Sequence, residues 1–228
     1  MKGKLIVIDG TDGSGKATQT KLLVERLKKE GYSVEVVDFP RYGQKSAALV
    51  EEHLNGKFGS ADEVGPYIAS IFYACDRYAA SFKMREWIDD GKIIISNRYV
   101  SANVGHQGGK IKDLKERNKY LDWLFDLEFN IFGIPKPDKN ILLYMPPEIG
   151  QKLVDQKDLR EYIEKNKKRD IYEENLNHLK NAADAYIYAA KKYGWDKIDC
   201  APNGELRTRE DISEEVWEKV MKLIKSNS

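Results

Sequence analysis

The run from Lys4 to Thr18, KLIVIDGTDGSGKAT, places a short β-branched segment directly before a glycine-rich turn and a lysine at a helix start. That succession narrows the fold more than any other feature, because a strand feeding a tight loop and then a helix opens an α/β sheet whose loop cradles phosphate. Gly10, Gly13 and Gly15 can adopt backbone angles closed to other residues, so successive N–H groups converge on an anion, and Lys16 adds a mobile positive charge. The spacing is G-x-x-x-x-G-K, with Thr11, Asp12 and Ser14 inside the loop. One position departs from the pattern: Ala17 stands where a Ser or Thr hydroxyl ordinarily joins a Mg²⁺ shell, and Thr18 points elsewhere on the helix.

Further β-branched runs follow at 33–39 (SVEVVDF), 92–96 (KIIIS), 140–144 (NILLY) and 195–199 (WDKID), separated by longer amphipathic stretches. Five strands alternating with helices imply a parallel sheet covered on both faces, a three-layer α/β sandwich. Leu22, Leu23 and Leu27 give the first helix an apolar stripe. Val64, Ile68, Ile71, Phe72, Cys75, Ala79 and Phe82 recur at steps of three and four and mark one long helix from near Pro66, with a stripe long enough to serve a partner subunit too. A last helix from about Asp211 to Ile224 carries Ile212, Val216, Val220 and Leu223 on one face.

The 228 residues suit one domain spanning 1–228 with a small insert at about 150–170. A third of the residues are charged yet the net charge is only +1, so nothing marks a nucleic-acid-binding tail. Cys75 and Cys200 are too few for a disulfide framework, and neither a signal peptide nor a membrane-spanning run is legible; the expectation is a cytoplasmic protein.

In open sheets of this kind ligands bind at the carboxyl ends of the strands. There the sequence offers Phe39-Pro40-Arg41-Tyr42 and Asn97-Arg98-Tyr99, two arginines at adjoining strand ends whose planar forks suit a second phosphate opposite the loop. Alone, each arginine reads better as a surface ion-pair partner; together and beside the phosphate loop they read as functional. Tyr73 and Arg77 lie four apart on the long helix and share a face, while Phe72 and Cys75 stay with its apolar stripe. If the segment after Arg98 is helical, Asn103, His106 and Gln107 fall within one turn; His53 and His178 read as solvated helix residues.

Taken together, GTDGSGKAT at 10–18, FPRYG at 39–43, IFYACDRY at 71–78, SNRYVSANVGHQG at 96–108, KPD at 136–138 and DIYE at 170–173 resemble the thymidylate kinases along nearly the whole chain. The resemblance implies ATP- and Mg²⁺-dependent phosphorylation of dTMP, a helical lid over the phosphates and a homodimer. It implies that Asp12 approaches the acceptor sugar and the metal, that Arg41 and Arg98 clamp the acceptor phosphate, and that Tyr73 and Arg77 stack on and bond the base. Phe39, Tyr42, Asn103, Gln107 and Tyr172 join the acceptor pocket, and His106 stands where this family carries Tyr or Phe against the 2′ position. Asn97 stands where many relatives have Asp. From the basic segment Gln156 to Arg169, Arg160 and Lys167 are the cations expected to close on ATP. Asp170 and Glu173 have capping-box spacing, and the resemblance adds a metal-water role for Glu173. A kinase for another nucleoside monophosphate or a deoxynucleoside is the alternative reading, and a nucleotide-binding module without transfer is a third.

Overall fold

The computed structural model describes residues 3–155 and 176–226. Its centre is a five-stranded parallel sheet in the order β2-β3-β1-β4-β5, built from β1 (Lys4–Gly10), β2 (Val34–Asp38), β3 (Ile93–Asn97), β4 (Lys139–Tyr144) and β5 (Asp196–Asp199). Every strand foreseen from the β-branched runs is present. Alternation along β1 explains the three layers: Ile6 and Ile8 enter one core and Leu5 and Val7 the other, all with 0% exposure. The first core is closed by α1 (Lys16–Lys29) through Leu23 and Leu27 and by α8 (Arg209–Lys225) through Ile212, Val216, Val220 and Ile224. On α8 the step of four ends on Ile224, leaving Leu223 half-buried.

The second core takes Ala80 and Met84 from α3 (Ala61–Asp89), Val100 and Val104 from α4 (Val100–His106), Tyr120, Leu121 and Leu124 from α5 (Leu114–Phe125), and Ala189 from α7 (Leu176–Tyr193). In α3 a kink at Gly65 (φ 72°, ψ 166°) separates a first turn, capped reciprocally by Ser60 and Glu63, from the long helix that starts at Pro66. The stripe read from the sequence faces differently from the sheet-facing side. Ile68, Ile71 and Phe82 are 54%, 39% and 54% exposed, and Phe72 and Cys75 are half-buried, because small residues, Ala69, Ala74 and Ala80, let α3 lie close against its neighbours on the opposite side. Apolar periodicity located the helix but not its inner face.

The strand ends bring the phosphate loop, Asp38-Phe39 and Asn97-Arg98 to one edge of the sheet, because β2, β3 and β1 are parallel neighbours in register. Gly10 (φ 151°) runs so close to β4 that an added Cβ would sit 2.0 Å from the carbonyl oxygen of Leu143. Gly10→Ala is therefore expected to destabilise the protein by about 3 kcal/mol, read as a lowered urea midpoint at unchanged slope. Gly13 (φ 76°) meets α6 (Pro147–Asp155) in the same way, its Cβ position lying 2.4 Å from the carbonyl oxygen of Gly150.

Candidate active site

A cavity of about 290 Å³ opens at this edge. One end is walled by Asp12, Gly13, Gly15, Lys16 and Ala17, the middle by Phe39, Tyr42, Asn97, Arg98 and His106, and the other end by Tyr73, Arg77, Asn103 and Gln107. Four segments far apart in sequence meet here: the sheet brings the strand ends before 12–17, 39–42 and 97–107 together, and α3 adds Tyr73 and Arg77.

Gly15, left-handed at φ 82°, turns the loop into α1 so that Lys16 is the first helical residue. The Lys16 ammonium donates to the carbonyl oxygens of Gly10 (3.0 Å) and Thr11 (2.9 Å) and lies 3.8 Å from the Asp12 carboxylate. Thr11 holds the loop rather than facing the cavity: its hydroxyl donates to the Met145 carbonyl and accepts from the Met145 N–H, both at 2.8 Å. Ser14 is buried with its hydroxyl oxygen unpartnered among the described residues, and Thr18 lies outside the cavity lining. Beneath the loop Asp9, 2% exposed, accepts from the Gly10 N–H (2.8 Å), the Ser101 hydroxyl (2.6 Å) and the Tyr186 hydroxyl (3.0 Å). That buried carboxylate ties β1 to α4 and α7, so the loop and the α4 wall of the cavity share one support.

Arg98 is the hub of the middle. Its backbone takes a left-handed φ of 64°, a strained angle for arginine that is held by the N–H donating to Ile8 (2.9 Å) and the carbonyl accepting from Ser96 (2.6 Å). One guanidinium nitrogen bonds Asp12 at 2.8 Å and the other meets His106 Nε2 at 2.9 Å. Because guanidinium only donates, Nε2 of His106 is the acceptor and the ring is neutral with its proton on Nδ1. Burial pushes the His106 pKa well below its ordinary value, with the positive charge of Arg98 acting in the same direction and Asp12 against it. For Arg98 burial alone would lower the pKa, and Asp12 above all reverses that, holding it well above the ordinary arginine value.

At the far end Arg77 is 1% and Glu128 0% exposed. Glu128 takes the Arg77 Nε (3.0 and 3.2 Å) and also pairs with Nη2, which in turn donates to Asn103 Oδ1 at 3.2 Å. Asn103 Nδ2 has no partner among the described residues, so a buried donor faces this cavity beside the arginine.

Arg41 is placed differently from the sequence reading. It does not line the cavity; its N–H and Nε bond Asp76 at 2.8 and 3.0 Å and an Nη2 bonds Ser46 at 2.8 Å. Asp76, fully buried on α3, takes the Arg41 guanidinium, which a reading of FPRY by itself could not include. Arg160, Lys167, Tyr172 and Glu173, with the rest of the basic insert and the Asp170 cap, lie outside the described residues.

Sequence reasoning also missed Asp9, Asp38, Asp76, Glu128 and Tyr186. A strand-end position was the available signal for Asp9 and Asp38. Asp38 lines the cavity and accepts from Asn97 Nδ2 at 2.9 Å, opposite it in the β2/β3 register. Burial raises its pKa, partly offset by that hydrogen bond.

His53 and His178 are buried at 0% and 9% exposure rather than solvated, since α2 (Ala48–Leu54) and α7 turn them inward, His178 stacking on His106 at 5.7 Å. Burial, with Lys110 next in both cases, lowers each pKa to about 4. The unfolded chain protonates these rings near pH 6.5 and the folded protein does not. Stability is therefore full above that pH and falls between about 6.5 and 4, by up to about 1.4 kcal/mol per pH unit for each histidine. Denaturant unfolding at pH 7.5, 6 and 5 checks this; a flat unfolding free energy contradicts it.

A phosphate loop at one end of a cavity, a guanidinium in its middle and a buried polar end beyond define a P-loop phosphotransferase of the α/β class. The sequence pattern of the family described as thymidylate kinase matches residues 8–198. Thymidylate kinase from Mycobacterium tuberculosis is 30% identical over 193 residues, covering 84% of this chain and 87% of that protein. The Plasmodium falciparum thymidylate kinase is 26% identical over 223 residues, covering 97% and 91%. A solved thymidylate kinase structure from Candida albicans superposes with a TM-score of 0.72 at 20% identity, covering 97% of this chain and 92% of the other, a likeness of fold. The chain belongs to the thymidylate kinase family, and with it to the kinases that phosphorylate dTMP.

Proposed function

We propose that this single-domain enzyme binds ATP on the phosphate loop from Gly10 to Thr18 and dTMP in the remainder of the cavity, and passes the γ-phosphoryl group to the acceptor 5′-phosphate. The observation that carries the reading is the continuity of one cavity from Lys16, past Arg98, to Arg77 and Asn103. The acceptor is already an oxyanion, so no general base is needed and catalysis consists of positioning and charge neutralisation. Lys16 neutralises the phosphates from the loop side and Arg98 steadies the acceptor phosphate. Asp12, held by Arg98, sits where the two phosphates approach, its charge balanced by that pair and by Lys16. Tyr73 packs on the base, Arg77 and Asn103 meet its polar edge, and His106 stands toward the sugar. Phe39, Tyr42 and Gln107 complete the walls. Arg41 serves the acceptor side through Asp76, as support for the wall rather than as a contact in the cavity.

Among the described residues no group of three or more His, Cys, Asp or Glu side chains gathers to hold a metal. The donors that do line the cavity, the Asp12 and Asp38 carboxylates and the unpartnered buried Asn97 Oδ1, are hard oxygens. They fit Mg²⁺, which is commonly bound by one or two carboxylates with substrate phosphates completing the shell. Asp12 and Asp38 would hold it, with Glu173 a further candidate from the sequence, and the ion would supply charge neutralisation between donor and acceptor phosphates. Arg160, Lys167 and Tyr172 enter the proposal on their sequence position alone, as lid cations and a sugar contact.

A homodimer through α3 belongs to the same reading. Tyr67, Ile68, Ile71, Tyr78 and Phe82 leave 39–54% of their surfaces exposed on one helix, more apolar area than a solitary helix face usually shows to water. Sedimentation at micromolar concentration tests it, a monomer alone contradicting it. A cytoplasmic setting is supported by two free cysteines, and no described helix is long and apolar enough to cross a membrane.

Purified protein with ATP and Mg²⁺ should turn over dTMP faster than dUMP, UMP, AMP or thymidine in a coupled ADP-release assay. Faster turnover of AMP or thymidine contradicts the assignment.

A further inference from the structure

Arg77 and Glu128 form a buried ion pair that opens onto the cavity on one side only. Arg77 lines it; Glu128 sits behind, in the π-helical turn Asp126–Ile131 that follows α5, with its carbonyl accepting from the Ile134 N–H at 3.0 Å. The carboxylate takes Nε and Nη2, and the Tyr99 carbonyl lies 3.4 Å from Nη1. With Asn103 Oδ1 on Nη2, four of the five guanidinium N–H donors are thus held, and one on Nη1 remains for a ligand in the cavity. The charge arrangement from the middle of the cavity to the phosphate loop is different. Lys16 and Arg98 share one carboxylate, Asp12, while Asp38 in that stretch is bonded to Asn97.

A guanidinium 1% exposed in a cavity and without a counter-charge is an anion trap, since low dielectric strengthens its hold on any phosphate that enters. We propose that Glu128 is a positioning residue that cancels the Arg77 charge and aims its donors, so that the far end of the cavity accepts a neutral base carbonyl and refuses phosphate, and the acceptor enters in one orientation. This rests on the reading of that end as the base site. A nucleoside monophosphate carries a dianion at one end and a neutral base at the other; two cationic ends would let it bind backwards, with its phosphate away from the donor. The neutral pair removes the backward mode without removing the hydrogen bonds that the forward mode uses.

Glu128→Gln keeps the shape and hydrogen-bonding reach of the side chain and removes its charge. Calorimetric titration of the nucleotide-free protein with inorganic phosphate is expected to find one more binding site per chain in Glu128→Gln than in the unaltered protein. Thymidine, which carries no phosphate, should bind the variant about tenfold more weakly, and added phosphate should displace it from the variant while leaving it bound to the unaltered protein. A merely structural role for Glu128 weakens all ligands and creates no new anion site. An unchanged phosphate count in folded Glu128→Gln overturns the proposal, whatever happens to thymidine. Should that variant fail to fold, Glu128→Asp decides: the charge is kept and the reach shortened by one methylene, so thymidine affinity should fall severalfold at an unchanged phosphate count, and unaltered thymidine affinity overturns the proposal. Unaltered protein that binds neither thymidine nor dTMP overturns the base-site reading instead, and the phosphate count still settles what Glu128 does.

Discussion

Arg98→Ala is expected to lower kcat/KM for dTMP by about 10³-fold while the protein remains folded, because one side chain performs three tasks at the centre of the cavity. It holds Asp12 at 2.8 Å, it donates to His106 at 2.9 Å, and in the proposed function it presents charge to the acceptor phosphate. Truncation removes this hold on Asp12, whose nearest remaining cation among the described residues is Lys16 at 3.8 Å. The carboxylate then turns toward the lysine and draws it from the donor phosphates, so the loss extends beyond the acceptor. Arg98→Lys should recover little of it: an ammonium is a point charge and cannot bond Asp12, His106 and a phosphate in one plane. Steady-state kinetics with dTMP varied, beside a melting curve, make the measurement. A fall of less than tenfold with both variants would remove Arg98 from the mechanism.

Lys16→Ala is expected to reduce kcat by a similar factor of about 10³, with the effect falling on the donor side. Lys16 is positioned by its place at the first turn of α1 and by two carbonyl oxygens of the loop, Gly10 and Thr11. These bonds hold the ammonium folded over the loop, from which it can extend to phosphate as charge develops there. Its removal leaves the loop anchored, since Thr11 still bonds Met145 in both directions and Asp9 still accepts from Gly10. ATP affinity measured by calorimetry should therefore fall much less than kcat. Lost ATP affinity at an unchanged kcat would mean instead that Lys16 binds ATP without favouring transfer.

The contrast between these two residues shows why some of the site was legible and some was not. Lys16 was readable because a local motif carries its whole context: glycines, loop and helix start lie within seven residues. Arg98 was readable as a strand-end arginine, yet its partners Asp12 and His106 are 86 and 8 residues away, and only the parallel register of β1 and β3 brings the first of them to it. Arg41 looked equivalent to Arg98 in sequence and is not, because Asp76 on α3 takes its guanidinium. Glu128 offered no signal, being one acid among many on an amphipathic stretch until folding set it behind Arg77. Tyr186 was likewise one more helix aromatic, and its bond to Asp9 across 177 residues is a tertiary fact.

The sequence by itself determined the parallel five-stranded sheet, the phosphate loop and the order of the segments that reach the site, since these follow from strand and helix periodicity and from backbone angles that only glycine adopts freely. Tertiary structure decided which face of α3 is buried, which arginine enters the cavity and which carboxylates hold the others in place. Those outcomes depend on charges that lose their water on folding and must find partners wherever the chain delivers them, and no local pattern records where that is.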